Sequence, residues 1–352
     1  MHLLDRIARS DAPLLLAPNS RPDIQFEVNG ASRYASQVKR CPLRFVLGDD
    51  LTRASAELAF ADGARLAGCL DLLRMPAPQM WVEWSDEVHQ RVMYETGLVA
   101  EYDAAAQGRR VGILLQGSVD GYGAVVRTFW VNADAHESSE ATMSPLETHI
   151  DLRGELAQPT DLSGVLSGGF AAVTQRTDPA MDSVLDHVRF RFDPSWAAYY
   201  RAAATDPCVQ EHLVHTSLAA VARDIPLLLA FFLLLSAKDA TRAMPISRAA
   251  INRKRQSLGR PPLLDHVEVR ASLDAVRESD AEDGELAGRQ SPRLHHVRGH
   301  LVRRDNRVFW RVPHLRGSAS RGMVRSRTVC LSFTRARGAD ARSYSAETLR
   351  IQ

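Results

Sequence analysis

At 352 residues the chain exceeds what one hydrophobic core usually organises, so the length points to two domains or to one domain with an appendage. Hydrophobic residues make up 45% of it, which is ample for a core and excludes a chain disordered throughout. The net charge of +2 hides an asymmetry: residues 289–352 carry fifteen arginines, no lysine, and only Asp305, Asp340 and Glu347 as carboxylates, a local +12.

Removing those from the 44 basic and 42 acidic residues leaves 29 against 39, so an acidic body of −10 precedes a basic end. Such an end implies an anionic partner. The opening stretch, MHLLDRIARSDAPLLLAP, contains carboxylates and a broken apolar run and makes a poor signal peptide. Cys41, Cys69, Cys208 and Cys330 are far apart, without CxxC, and read as buried free thiols of a cytoplasmic protein.

Leu43–Leu47 reads as a short strand. Asp50 then caps a predicted helix through Leu73, with Gly63 as a point of interruption, and Pro76 and Pro78 close that element. Met80–Trp84 (MWVEW) alternates as a strand. Val111–Gln116 and Ala124–Asn132 form a hairpin through Gly117, Gly121 and Gly123; no helix opens after these glycines, so they read as a turn and not a phosphate loop. His149–Leu152 and Val188–Phe192 add strands.

From Pro194 the pattern turns helical, over Trp196–Ala203, Val209–Arg223 and Pro226–Ala237, with Asp224 as N-cap of the third. Ile225–Ala237 is the most apolar run, well short of the ~20 residues that span a bilayer, and reads as a buried helix with no membrane contact. Arg248, Arg253, Lys254, Arg255 and Arg260 form a basic run, either a solvated segment or one that touches an acidic partner. His266–Leu273 is a further strand, and Glu278–Glu285 (ESDAEDGE) an acidic linker.

The fold class expected is α+β: an antiparallel sheet with helices on one side, a buried helical middle and a basic C-terminal β-meander. The divisions are a body at 1–205, a helical segment at 206–275, a linker at 276–292, an Arg/His-rich module at 293–337 and a tail at 338–352.

The chain lacks GxSxG, HExxH, a Walker loop and a dinucleotide fingerprint, so the residues point away from an enzyme. Asp49/Asp50 and Asp86/Glu87 are adjacent in sequence and read as caps or solvated turns. A hydrolase assembled from distant residues is the alternative that such a reading leaves open. His212 and His215 share a helical face without a third ligand, and His295, His296, His300 and His314 fit no zinc spacing among their arginines; no metal or cofactor is expected.

His300–Arg304 and Arg307–Val312 alternate on either side of Asp305-Asn306, a pair that tolerates a tight hairpin turn. In that register Arg304 faces Arg307, Val302 faces Phe309 and His300 faces Arg311, while Leu301, Val308, Trp310 and Val312 form an apolar face with Arg303 near the turn. A one-residue slip exchanges the two faces. Arginine forks beside an aromatic suit phosphate and an unstacked base; the same charges also guard a solvated edge hairpin.

At Arg298-Gly299-His300, followed by the Trp310 strand, His314 and Gly317, the sequence resembles the anti-CRISPR proteins of phages and mobile elements that act against the type V-A CRISPR nuclease. Weaker matches cover Leu227–Ala237 with Pro245-Ile246-Ser247-Arg248, and Met80–Trp84. Leu301 stands where that family carries an aromatic, and the hairpin is shorter. The resemblance implies host-defence evasion: a cytoplasmic protein that recognises the nascent nuclease polypeptide and promotes loss of its mRNA. Under it the body would hold a peptide groove, and the basic end would contact RNA or the ribosome. The binding residues singled out are Arg298, His300, Arg304, Arg307, Phe309, Arg311, His314 and Arg316. The alternative is a nucleic-acid-binding protein of a prophage or plasmid.

Overall fold

A computed structural model describes residues 2–9, 14–16, 26–27, 31–131, 141–173, 179–193, 207–238, 240–272, 293–297, 300–304, 307–311, 314–316 and 318–323. Two units divide the chain: residues 1–275 with 298–313, and residues 276–297 with 314–352. In chain order the first unit contains α1 (Leu3–Ile7), β1 (Leu14–Leu16), β2 (Phe26–Glu27), α2 (Ala31–Arg40), β3 (Leu43–Leu47), α3 (Asp49–Phe60), α4 (Gly63–Ala67), β4 (Gln79–Ser85) and α5 (Asp86–Glu95). It continues with β5 (Arg110–Gly117), β6 (Gly123–Val131), β7 (Ala141–Asp151), α6 (Leu162–Leu166), α7 (Pro179–Leu185) and β8 (Val188–Phe192). Then come α8 (Pro207–Ala222), α9 (Asp224–Ser236), β9 (Thr241–Ile246), α10 (Ala249–Ser257) and β10 (His266–Ala271). Among the described residues the second unit begins with β11 (Arg293–Val297). The chain returns to the first unit for β12 (His300–Arg304) and β13 (Arg307–Arg311), and the second resumes with β14 (His314–Arg316) and β15 (Ser318–Met323).

The protein is α+β, built on a ten-stranded sheet in the order β2-β1-β7-β6-β5-β4-β3-β10-β9. The long strand β7 takes both β1 and β8 along its outer edge, over Ala141–Met143 and Leu146–Ile150 respectively. The sheet is mixed and not antiparallel as expected: β1 runs parallel to β7, and β3 runs parallel to both β4 and β10. Between β3 and β4 the chain passes through α3 and α4, and a helical crossover returns the next strand in the same direction.

Helices also cover both faces, not one. β4 is the reason: Met80, Trp81, Val82, Glu83 and Trp84 are all buried, so each face needs a cover. On one face Trp81 meets Phe129, Phe129 meets Tyr34 of α2, and the backbone N–H groups of Leu3 and Leu4 in α1 donate to Glu83. On the other, Trp84 faces His89 of α5, and Phe45 of β3 packs edge-on against Phe231 of α9. Gly112 lies directly across from Glu83 on β5, and a Cβ there would fall 2.2 Å from the Trp81 ring, so only glycine fits.

The helix expected over Asp50–Leu73 is three pieces: α3, α4 and a 3₁₀ turn at Leu70–Leu72. Asp62 leaves helical geometry at the first break, with φ −136° and ψ 35°. Asp224 is the first residue of α9 and not its cap. α8 and α9 continue one another, so the apolar helix runs for 29 residues over Cys208–Ser236, long enough by composition to cross a membrane. The separate reading of Ile225–Ala237 missed that length. Its most apolar window is 82% buried inside this fold, and every residue from Ile225 to Leu234 is buried. Cys41 and Cys69 are buried thiols, whereas Cys208 is exposed, against expectation, because it begins α8 before the helix reaches the core. Cys330, the helix expected at Trp196–Ala203, the acidic linker and the tail lie outside the described residues.

In the second unit β11 lies between β14, to which it is antiparallel, and β15, to which it is parallel.

Candidate functional site

β12 and β13 pair in the register read from their alternation: His300 with Arg311, Leu301 with Trp310, Val302 with Phe309, Arg303 with Val308, and Arg304 with Arg307. Asp305 and Asn306, the turn pair, lie outside the described residues. Cross-strand partners share a face, so the described side chains fall into two sets.

Leu301 and Val308 face the body. Leu301 is 2% exposed within the core, and Val308 packs against that core partly buried. The Arg65 Nη1 of α4 donates to the Leu301 carbonyl at 3.1 Å. Arg303, on the same face, spans the edge of the contact: Nη1 and Nη2 each donate to the Asp71 carboxylate at 2.9 Å, and Nη1 also donates to the Gly68 carbonyl at 2.6 Å. A parallel bridge between Phe309 and Lys238 adds a backbone tie.

The opposite face carries Val302, Arg304, Arg307 and Phe309. Arg304 and Arg307 stand directly across from each other, both are exposed, and among the described residues neither has a carboxylate partner. Like charges directly opposite each other destabilise a strand pair, so this arrangement gains when an anion lies across them. Phe309, half-buried beside them, adds a ring to the same face.

None of the family models, curated proteins or solved structures compared with the chain matches it.

Of the eight residues singled out from sequence, Arg304, Arg307 and Phe309 are brought together on this face. His300 and Arg311 pair at the hairpin's open end, their side chains lying outside the described set, as does Arg298 entirely. His314 and Arg316 belong to the second unit, on β14, opposite Val297 and His295 of β11. His212 and His215 are both exposed, and among the described residues there is no cluster of three potential metal ligands.

Sequence reasoning missed three polar clusters inside the body. The first is Glu83, which accepts from Leu3 N at 3.0 Å and Leu4 N at 2.9 Å, pairs with Arg110, and lies 3.5 Å from His2. Burial pushes its carboxyl up, but the Arg110 guanidinium and the His2 and Leu3 hydrogen bonds outweigh that and hold it far below the usual range.

The second cluster joins Asp86, His89 and Arg109 to Asp224. Arg109 Nε donates to Asp86 at 2.6 Å, and His89 Nδ1 lies 3.5 Å from Asp86 and 3.7 Å from Asp224. Burial pushes the Asp224 carboxyl well up, and the neighbouring Asp86 charge adds to this; Asp86 itself stays below its usual range because His89 and Arg109 outweigh its burial. Asp86 was expected to be a cap or a solvated turn and is instead 2% exposed. A signal was present in its spacing, since Asp86 and His89 are one helical turn apart at the start of α5. With His89 1% and Asp224 6% exposed, the centre of the cluster is buried, and the approach of these two side chains links α5 to α9.

The third cluster is Glu147, which receives Arg127 and, at 2.6 Å, Arg191; Arg127 also donates to Asp193 at 3.1 Å. Burial raises the Glu147 carboxyl, but hydrogen bonds from His149 and Arg191 and the Arg127 charge bring it down to about 2. Each of these arginines is committed to an internal carboxylate. Arg304 and Arg307 are not.

Proposed function

We propose that this chain is a non-enzymatic binding protein whose outward Arg304/Arg307 face engages an anionic partner, with the ten-stranded body as its carrier. The observation that carries the reading is the contrast on one hairpin. Arg303 is spent on Asp71, while its neighbour Arg304 and the facing Arg307 are exposed without a carboxylate among the described residues. Guanidinium forks held on a docked strand pair are geometrically prepared for phosphate or clustered carboxylates.

In its specific form the proposal follows the resemblance at Arg298-Gly299-His300 through Gly317. The protein prevents accumulation of a type V-A CRISPR nuclease by recognising the nascent polypeptide and promoting loss of its mRNA, and the basic C-terminal β-meander contacts RNA or the ribosome. Co-expression with such a nuclease, followed by blotting for nuclease and message, tests it. Both fall with the wild-type chain and recover with the Arg304→Ala/Arg307→Ala variant; unchanged levels of both with the wild-type chain refute it.

A second reading, a nucleic-acid-binding protein of a prophage or plasmid, is favoured by Phe309 sharing the face with two arginines, a pairing that serves stacking beside phosphate contacts. Salt-titrated binding to single-stranded RNA and DNA separates the two. If both arginines contact phosphate, the double alanine variant lowers the slope of log K against log salt by about 1.4, at ~0.7 per phosphate on a single strand.

A further inference from the structure

No residue of α10 is buried, yet the fold holds this helix in place. Arg248 N donates to Asp265 at 2.5 Å where the helix begins. Asn252 is stapled to Leu263 twice, its Nδ2 donating to the carbonyl and its Oδ1 accepting from the N–H, each at 2.8 Å. Arg255 Nε donates to the Pro261 carbonyl, also at 2.8 Å. An isolated helix below ~12–15 residues is marginal in water, and this one gains nothing from an apolar buried face. Those polar staples therefore fix a helix whose outer surface is left to solvent.

That surface has a pattern. With 3.6 residues per turn, Ile251, Lys254 and Arg255 of α10 and Leu258, the residue that follows its last turn, stand at i, i+3, i+4 and i+7 and form a single stripe. Ile251 is 47% and Leu258 59% exposed, and Lys254 is exposed between them. Residues 241–264 contain Arg242, Arg248, Arg253, Lys254, Arg255 and Arg260 and no carboxylate. Exposed aliphatics rimmed by charge mark a contact surface for protein, and a cationic rim selects an acidic one. A phosphate backbone would satisfy the cations but leave both aliphatics in water, so the pattern favours polypeptide over nucleic acid.

We infer that the Ile251/Leu258 stripe of α10 docks an acidic polypeptide carrying aliphatic residues at helical spacing. Such a segment lays its apolar side chains on Ile251 and Leu258 while its carboxylates meet Lys254 and Arg255 between them. This surface is distinct from the Arg304/Arg307 face and does not depend on it.

Fluorescence anisotropy of the full-length chain tests the inference with three labelled probes: a glutamate-rich helical peptide with leucines at i, i+3, i+4 and i+7, the same peptide with serine for leucine, and poly-uridine RNA. The leucine peptide binds, and the serine peptide binds roughly tenfold more weakly or worse, as loss of about 1.4 kcal/mol requires. Ile251→Ser/Leu258→Ser reproduces that loss, Lys254→Glu weakens binding further at low salt, and Arg304→Ala/Arg307→Ala leaves it unchanged. All these side chains lie at the surface, and circular dichroism verifies that each variant folds. Wild-type affinity in the Ile251→Ser/Leu258→Ser variant overturns the inference, as does equal binding of the two peptides or no binding of either. RNA binding that requires Lys254 while the leucine peptide fails to bind assigns the surface to nucleic acid and overturns it too. Loss of peptide binding in the hairpin variant would place the contact on the other face.

Discussion

Truncating Leu301 to alanine removes a side chain that is 2% exposed from the seam between the hairpin and the core. Leu→Ala changes at such positions cost about 2–5 kcal/mol, the transfer of the lost methyls plus the cavity left behind. A second kind of tie, the Arg303–Asp71 ion pair, joins side chains that are 39% and 61% exposed, and at that exposure an ion pair contributes about 0–1 kcal/mol. The two can therefore be ranked: Leu301→Ala destabilises more than Asp71→Ala. Urea unfolding followed by tryptophan fluorescence measures both, read as midpoint shifts at unchanged slope. Leu301→Ala also speeds amide exchange along β12 and β13 and weakens binding of the anionic partner, although Arg304 and Arg307 remain. A loss below about 1 kcal/mol for Leu301→Ala, together with a larger loss for Asp71→Ala, would mean that the hairpin hangs on its ion pair. The apolar seam would then not be what positions the arginines.

Two further predictions concern the internal carboxylates. Glu83→Gln leaves Arg110 beside a neutral amide in a buried site and costs about 3–5 kcal/mol by urea unfolding, the range for a buried pair broken on one side; a cost under about 1 kcal/mol would show that the carboxylate does not tie α1 to β4. Asp224→Asn works in the opposite direction. Above the ordinary value of 3.8 the folded state retains a proton on Asp224 that the unfolded chain releases, so this group makes stability fall as pH rises. Asparagine cannot ionise, so the variant gains on the wild type as pH is raised from about 4 to about 8, and a difference between the two that stays constant over that range refutes the assignment.

The hairpin was legible in the sequence because a period-two alternation around a two-residue turn leaves few registers, and the pairing of Val302 with Phe309 and Arg304 with Arg307 is the one that alternation dictates. β3 and β8 were equally legible, since their bounds follow short runs of β-branched and aromatic residues. The sheet's direction was not. Whether β3 runs parallel to β4 depends on the crossover through α3 and α4, and the two-sided burial of β4 depends on α1, whose five residues carry no helical period long enough to read. Asp86 and Asp224 looked like caps because acidic residues at helix starts usually are; only the packing of both α5 and α9 against α3 turns the two inward to His89.

Charge in this molecule is sorted by depth as well as by position. The body's negative balance is partly internal: Glu83, Asp86 and Glu147 are each matched by an arginine from a neighbouring strand or loop, so they cannot neutralise distant cations. What decides the fate of a hairpin arginine is then parity alone. Arg303 and Arg304 are adjacent, yet one points to Asp71 and the other to solvent, and exchanging them takes only a one-residue slip. Such a slip would drive Leu301 out of the core and put His300 or Val302, a polar ring or a smaller side chain, in its place. The inward packing of Leu301 and Val308 is therefore what keeps Arg304 and Arg307 facing outward, and the binding face inherits its geometry from the hydrophobic core rather than from its own charges.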